Sequence, residues 1–241
     1  MEQAARQSLL ELDRDLARDL AGPDEQLART RLAVDVLELP AGGWDPSEST
    51  ERARGGFGLF VANGFLVRSV TLEHRSAAEL VGPGDVVRPW QEDMPQTSYP
   101  LISRWRTLSS ATLAVLGTEA TGRLCGFPMV IAELAERLCG RSRRQAGLQV
   151  IAQLAAVEHR ILLALWHLAD EFGRVRPDGV MVPVPMTHEV LGMLVGARRP
   201  TVTGALGVLA ERGLVRSARG EGWLLAGEPP SDLDLVRGRR L

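Results

Sequence analysis

The chain has 241 residues, of which 45% are hydrophobic and 24% charged, a composition typical of a globular protein with one large or two small domains. Its formal net charge is −2 at pH 7. The longest apolar runs, such as residues 161–166, are far shorter than the roughly 18 residues of a membrane helix. The acidic, amphipathic N-terminus lacks the order of a signal peptide. These features predict a cytoplasmic protein with no membrane partner.

The N-terminal half is predicted to combine one helix with a β-rich domain. Residues 1–21 carry leucines at helical spacing, namely Leu9, Leu12, Leu16 and Leu20. From residue 32 to residue 116, short β-like runs alternate with turn residues, as in the sequence GPGD at residues 82–85. Many short strands separated by turns are typical of a barrel or jelly roll.

Residues 128–154 are predicted to form a long helix that starts at Pro128. Apolar residues recur along it at spacings of three and four: Phe127, Ile131, Leu134 and Leu138, then Leu148, Ala152 and Ala155 after a polar middle. This heptad-like seam favours a homodimer through the helix 128–154. The alternative is a helix that packs only on its own barrel. A second helix is predicted over residues 157–172.

Residues 186–214 read MTHEVLGMLVGARRPTVTGALGVLAERGL and contain two short helical patterns around Gly196. Thr187 is a good N-cap for the first helix, and Gly196 suits the left-handed conformation that ends it. Pro200 suits the first turn of the second helix, whose apolar residues recur at spacings of four and three. The pattern is typical of a helix-turn-helix, in which the start of the second helix meets DNA base edges.

Polar residues crowd the start of this second helix and the hairpin that follows. The candidates for DNA contact are Thr187, Arg198, Arg199, Thr201 and Thr203 in the helices, and Arg216 and Arg219 in the hairpin. Arginine can pair with guanine, and threonine can touch a thymine methyl group or a phosphate. The sequence VRSARGEGWLL predicts a wing beside the phosphates. Between Gly196 and Gly222 five arginines oppose two acids, a local positive excess that phosphate contact requires.

Two alternatives compete with DNA binding. The helices could be ordinary surface helices with solvated arginines. The segment could also be a sensor or protein-interaction module that has kept a winged helix and lost DNA readout. Gly204 and Gly207 support this second alternative, because a glycine within a helix costs about 1 kcal/mol relative to alanine.

Catalysis and metal binding have no candidate residues. Of the four histidines only His74 falls in the predicted barrel, too few for a cupin-type metal site, and the GxSxG, P-loop and HExxH motifs are absent. Cys125 and Cys139 match no zinc or redox motif and cannot supply four ligands to an iron–sulfur cluster. We interpret both as small apolar packing residues. The sequence therefore predicts a protein that is not an enzyme and holds no cofactor.

These segments resemble the Crp/Fnr superfamily of bacterial transcription regulators. The resemblance is carried by VGARRPTVTGAL and LAERGLV in the C-terminal half, and by GFLVRSV, LVGPGDVV and WRTLSSATLAVL in the β-rich half. It implies an α+β fold of four parts. These are a helix with a cyclic-nucleotide-binding-like β-barrel (jelly-roll) sensor domain over residues 1–126, a dimerisation helix over 127–155, a winged helix-turn-helix DNA-binding domain over 156–226, and a flexible tail over 227–241.

The resemblance also implies roles for single residues. Arg199 matches the position of the family's first base-reading arginine, and Thr201 matches a phosphate-contacting threonine. Pro200 replaces the family's glutamate, and Gly204 replaces a second reading arginine. These two departures put the family's best-known operator sequence in doubt.

The family's cyclic-nucleotide pocket is not matched. Members that bind cyclic nucleotides follow the GD turn with a Gly-Glu pair and later an Arg-Ser pair. Here the turn is followed by VVRPWQEDMPQ, and Leu101 and Ile102 align with the Arg-Ser pair. A buried phosphate without its arginine would cost several kcal/mol. We therefore predict no cyclic-nucleotide binding in the usual way, with Arg88 or Arg104 as the alternative phosphate partners.

Together these observations predict a homodimeric, sequence-specific transcription regulator. Its partner would be double-stranded DNA carrying an inverted-repeat operator, since a two-fold dimer presents two recognition helices. RNA polymerase is a further candidate partner. The sequence predicts no particular effector.

Overall fold

The computed structural model describes residues 6–89, 99–218 and 220–230. Contacts divide the chain into two compact units, one of residues 1–68 with 80–142 and the other of residues 69–79 with 143–241. Within the described ranges, no helix has the length and apolar character needed to cross a membrane. The predicted flexible tail lies, beyond residue 230, outside the described residues.

Short strands dominate the N-terminal half. They are β1 (Arg6–Ser8), β2 (Ala33–Leu39), β3 (Gly42–Trp44), β4 (Gly58–Asn63), β5 (Leu66–Leu72), β6 (Arg75–Val81), β7 (Val86–Val87), β8 (Ile102–Thr107) and β9 (Ala111–Leu116). The helices of this half are α1 (Leu9–Leu12), α2 (Pro23–Arg31), α3 (Ser47–Ala53) and α4 (Thr118–Leu124), with a 3-10 turn at Arg14–Ala17.

Helices dominate the remainder. These elements are α5 (Pro128–Ile151), α6 (Val157–Phe172), β10 (Arg174–Arg176), β11 (Gly179–Val182), α7 (His188–Val195), α8 (Arg199–Glu211), β12 (Val215–Ala218) and β13 (Gly222–Leu225). The long helix, the second helix, the helix-turn-helix and the wing hairpin are all present. The predicted fold class is therefore confirmed.

The N-terminal strands form two sheets, in the orders β1-β2-β9-β4-β7 and β3-β8-β5-β6. Strand β9 is central to the first sheet, where Leu113 pairs with Leu37 of β2 and Val61 of β4. Alternation along β4 sends Phe60 into one apolar cluster and its neighbours Leu59 and Val61 into another. Over the described residues the two sheets do not close on each other. The β-barrel of the prediction is thus corrected to a two-sheet arrangement.

The N-terminal segment is not one helix, and this part of the prediction is wrong for the residues that the structure describes. The carboxylate of Asp13 accepts a hydrogen bond from the backbone N–H of Asp15 at 2.9 Å, so the chain leaves α1 and begins a new 3-10 turn. The leucine pattern marks burial correctly, since Leu9 and Leu16 lie in the core. It does not indicate one continuous helix.

Helix α5 buries the stripe that the sequence predicted as a dimer seam. Phe127, Val130 and Leu134 belong to the apolar core of the first unit, and Ile131 and Leu138 pack against it. For Phe127, Ile131, Leu134 and Leu138 the assignment to the dimer is wrong, because the chain's own sheet domain covers these side chains. The alternative of packing on the chain's own domain is correct for this face.

The two cysteines are also placed differently from the prediction. Cys125 follows α4 and Cys139 lies on α5, and both are exposed. Their interpretation as small apolar packing residues is therefore wrong.

Leu134→Ala should destabilise the protein by about 2 to 5 kcal/mol, because Leu134 is 0% exposed and its removal leaves a cavity. Urea-induced unfolding measures the loss. The matched control is Leu27→Ala on α2, where the side chain is 43% exposed and the loss should be small. Equal losses for the two variants would contradict the burial of this face of α5.

Candidate nucleic-acid interface

The first helix of the pair, α7, is defined by its two ends. The hydroxyl of Thr187 accepts a hydrogen bond from the backbone N–H of Val190 at 3.2 Å, which is the predicted N-cap. Gly196 ends the helix in the left-handed conformation with φ of 65°. Gly192 allows close passage of the turn, since a Cβ there would lie 2.6 Å from the carbonyl oxygen of Ala197. The turn therefore holds the start of α8 against α7.

Helix α8 has one buried and one exposed face. Val202, Ala205, Leu206 and Leu209 are buried. The N-terminal residues predicted to contact DNA lie on the exposed side, namely Arg198, Arg199, Thr201 and Thr203. Neither Arg198 nor Arg199 forms an ion pair with a residue that the structure describes, so both charges face solvent. The structure brings these four residues together on one surface.

His188, the first residue of α7, is a member of this surface that the sequence analysis did not select. Its Nδ1 lies 2.9 Å from the hydroxyl of Thr203, and its ring centroid lies 6.1 Å from that of Trp223. The Thr203 hydroxyl also donates a hydrogen bond to the carbonyl of Arg199 at 3.1 Å. The feature of the sequence that could have identified His188 is its position directly after the N-cap residue Thr187.

The wing is a hairpin of β12 and β13 at the edge of a four-stranded sheet with the order β10-β11-β13-β12. Ser217 pairs with Trp223 and Ala218 with Gly222, as the alternating sequence predicted. Arg216 lies on β12 and forms a 3.8 Å ion pair with Asp178, both side chains being about 60% exposed. Such an exposed pair is weak and can yield to a phosphate. The candidate Arg219 lies outside the described residues.

The turn that precedes the family's nucleotide pocket is well formed. The buried carboxylate of Asp85 accepts a hydrogen bond from the N–H of Gly82 at 2.8 Å, and Gly84 has φ of 88°. Leu101 and Ile102, which replace the Arg-Ser pair, are 40% and 52% exposed. Most of the segment after the turn lies at residues 90–98, outside the described residues. The absence of the usual cyclic-nucleotide binding stays a prediction.

Arg104 lines an open cavity of about 580 Å³ in the first unit. The edge-to-face pair of Trp44 and Trp105, with ring centroids 5.7 Å apart, forms part of its wall. At the rim, hydrogen bonds from the side chain and backbone of Ser47 lower the pKa of Asp45. Among the described residues, no group of three or more His, Cys, Asp or Glu side chains could hold a metal ion.

Comparison with known proteins identifies the second unit. Residues 159–226 match the family model of the Crp-like helix-turn-helix domain. No curated protein matches the chain.

Solved structures match over most of the chain. A CooA mutant from Carboxydothermus hydrogenoformans is 14% identical with a TM-score of 0.61, covering 98% of this chain and 96% of that one. A cyclic nucleotide-binding domain containing protein from Listeria monocytogenes is 18% identical with a TM-score of 0.60, covering 89% and 97%. A CRP-family transcriptional regulator from Thermus thermophilus is 20% identical with a TM-score of 0.52, covering 83% and 94%. Because the sequence identities to these structures are 20% or lower, the likeness establishes the fold alone.

The second unit therefore carries a Crp-like helix-turn-helix domain, and the chain shares the fold of these solved structures. The predicted resemblance to the Crp/Fnr superfamily is confirmed by the family model for the helix-turn-helix and by these structures for the fold.

Thr187→Ala should destabilise the protein by about 1 kcal/mol, because the N–H of Val190 loses its cap. Thermal unfolding measures the change. Thr187→Ser keeps the hydroxyl and is expected to retain most of the wild-type stability. If both variants lose the same free energy of unfolding, the cap has no role.

Proposed function

We propose that this chain is a homodimeric, sequence-specific transcription regulator that acts in the cytoplasm and binds an inverted repeat in double-stranded DNA. The exposed polar start of α8 is the observation that carries the proposal. Arg198, Arg199, Thr201 and Thr203 lie there, while the opposite face of the helix is buried. Neither arginine forms an ion pair with a residue that the structure describes. Arg199 would read a base, Thr201 would contact a phosphate, and the wing residues Arg216 and Arg219 would bind phosphates.

The two glycines of α8 that the sequence analysis took as support for lost DNA readout lie on the exposed face of the helix, where they also suit close contact with a partner. A Cβ at Gly204 or Gly207 would meet nothing within 4 Å, so packing within the chain does not require glycine at either position. Each glycine nevertheless costs the helix about 1 kcal/mol relative to alanine. Bare backbone allows a partner to approach closely. Beside the arginines at the start of α8, that partner is best matched by the DNA major groove.

A second stripe on α5 supports the homodimer. Seven of the exposed residues of α5 recur alternately at spacings of three and four: Met129, Ala132, Glu136, Cys139, Arg143, Ala146 and Val150. This is the heptad spacing of two helices that pack along their length. Ala132, Cys139 and Ala146 recur at every seventh position, and their small side chains let a second α5 approach closely. The dimer surface that we propose therefore lies on this face, opposite the buried Leu134.

Arg199→Ala should weaken specific DNA binding by about 1 to 3 kcal/mol and relax base preference at one operator position. The operator is first selected from a random duplex pool with wild-type protein, and affinities are then measured by fluorescence anisotropy. Arg174→Ala is the matched control, since Arg174 is exposed on β10 and has no ion pair with a described residue. Unchanged affinity and base preference in Arg199→Ala would refute the proposed docking.

The same experiment separates the proposal from a winged helix without DNA readout. A DNA-binding protein should lose affinity steeply with salt, because phosphate contacts release counterions. Failure of the pool to enrich any motif, together with a salt-insensitive protein interaction, would support the alternative.

Ala146→Glu should convert the dimer to monomers, because a charge at the centre of a close helix contact cannot be solvated there. Light scattering coupled to size-exclusion chromatography gives the mass. The control is Ala210→Glu, which places the same charge on an exposed position of α8. A dimeric Ala146→Glu variant would exclude this face of α5 as the interface.

A further inference from the structure

Arg160 occupies an unusual place in the first turn of α6. Its Nε donates a hydrogen bond to the carbonyl of Leu154, in the loop that joins α5 to α6. Its Nη1 donates to the carbonyls of Val195 and Gly196, each at 3.3 Å, where α7 ends and the turn to α8 begins. No acidic residue pairs with it in the described part of the chain. One guanidinium therefore satisfies carbonyls from two separate segments.

The electrostatics of this arrangement are favourable. The last carbonyls of a helix have no intrahelical donor and carry the negative end of the helix dipole. Arg160 supplies a positive charge and fixed donors at that end of α7. The planar guanidinium holds several acceptors in one geometry, which a lysine ammonium does not. The hydrogen bonds to Leu154 and Val195 are partly buried, which limits competition from water at those two carbonyls, whereas the bond to Gly196 is exposed.

The same region is tied to the end of α5 by independent contacts. A Cβ added to Gly196 would lie 3.9 Å from the Cβ of Ala152, so the turn lies against the α5–α6 loop. Farther along α6, His167 Nε2 lies 2.9 Å from the carbonyl oxygen of Arg144 on α5. Gly147 allows this approach, since a Cβ there would lie 2.6 Å from the His167 ring. The last turns of α5, helix α6 and the turn before α8 are thus joined.

We infer that Arg160 is a positioning residue that fixes the start of the recognition helix α8 relative to the end of α5. In a dimer formed through α5, this fixes the distance between the two recognition helices and hence the spacer between operator half-sites. The inference rests on the proposed function, which supplies the dimer and the DNA. Arg160 contacts no DNA in this scheme. It acts through the carbonyls of Leu154, Val195 and Gly196.

The test uses the full chain and a pool of duplexes. Each duplex carries two copies of the half-site selected by wild-type protein, separated by every spacer from zero to about ten base pairs, one DNA turn. The wild-type protein should enrich duplexes with one spacer length. For Arg160→Gln the selected duplexes should spread over neighbouring spacer lengths. The affinity of this variant for the preferred full site should fall about tenfold. Its affinity for a single half-site should change by less than about twofold, because the reading residues remain in place.

Two further variants make the result specific. Arg174→Gln removes an equal charge from an exposed position and should keep the wild-type spacer. Arg160→Lys keeps the charge and loses the planar fork, so it should also broaden the spacer distribution; it serves in place of Arg160→Gln if that variant does not fold.

The outcomes distinguish this inference from the function on which it rests. An unchanged spacer distribution in a folded Arg160 variant overturns the positioning role and leaves the proposed function standing. Equal losses on half-site and full-site DNA also overturn it, since they indicate a general defect of the helix-turn-helix. Failure of wild type to enrich a symmetric site overturns the proposed function and the positioning role together.

Discussion

The helix-turn-helix domain depends on the burial of one face of α8 against α6 and α7. Val202, Leu206 and Leu209 bury their side chains on that face, and Ile161 and Leu165 are equally buried on α6. Fully burying a leucine-sized side chain contributes about 1.5 to 3 kcal/mol, far more than any exposed ion pair in this unit. This burial dictates which side of α8 faces solvent. The polar surface is therefore a consequence of the core and needs no separate stabilisation.

Helix α5 shows why an apolar repeat does not identify the partner of a helix. Its larger apolar side chains, such as Phe127 and Leu134, pack on the sheet domain of the same chain. The opposite stripe carries alanines, a cysteine and charged residues at the same heptad spacing. Hydrophobicity alone favours the first stripe as a dimer seam, although the chain itself fills it. Only the observed burial shows which of the two periodic faces is exposed.

The predictable parts of the fold are those that local signals encode. The N-cap at Thr187 and the left-handed Gly196 are local features of single residues. Helix α6 follows from its apolar spacing, and the wing hairpin follows from its alternating sequence. Helix α3 was missed because it buries Ser49, Thr50 and Ala53, which leave no apolar stripe to detect. Arg160 was missed for a related reason. Its partners are carbonyl oxygens, which every residue carries, so no sequence pattern points to them.

Under the proposed function, the surface of α8 would limit how this chain selects an operator. Pro200 and Gly204 occupy positions where the related pattern has two side chains able to read bases, so Arg199 would provide most of the direct readout from this helix. Phosphate contacts from the wing add affinity without sequence information. If each subunit reads few bases, a dimer would discriminate better between DNA sequences by binding only where two half-sites lie at one fixed distance. Specificity of this kind would require a rigid connection between α5 and α8, and the hydrogen bonds of Arg160 to the carbonyls of Leu154, Val195 and Gly196 are suited to supply it.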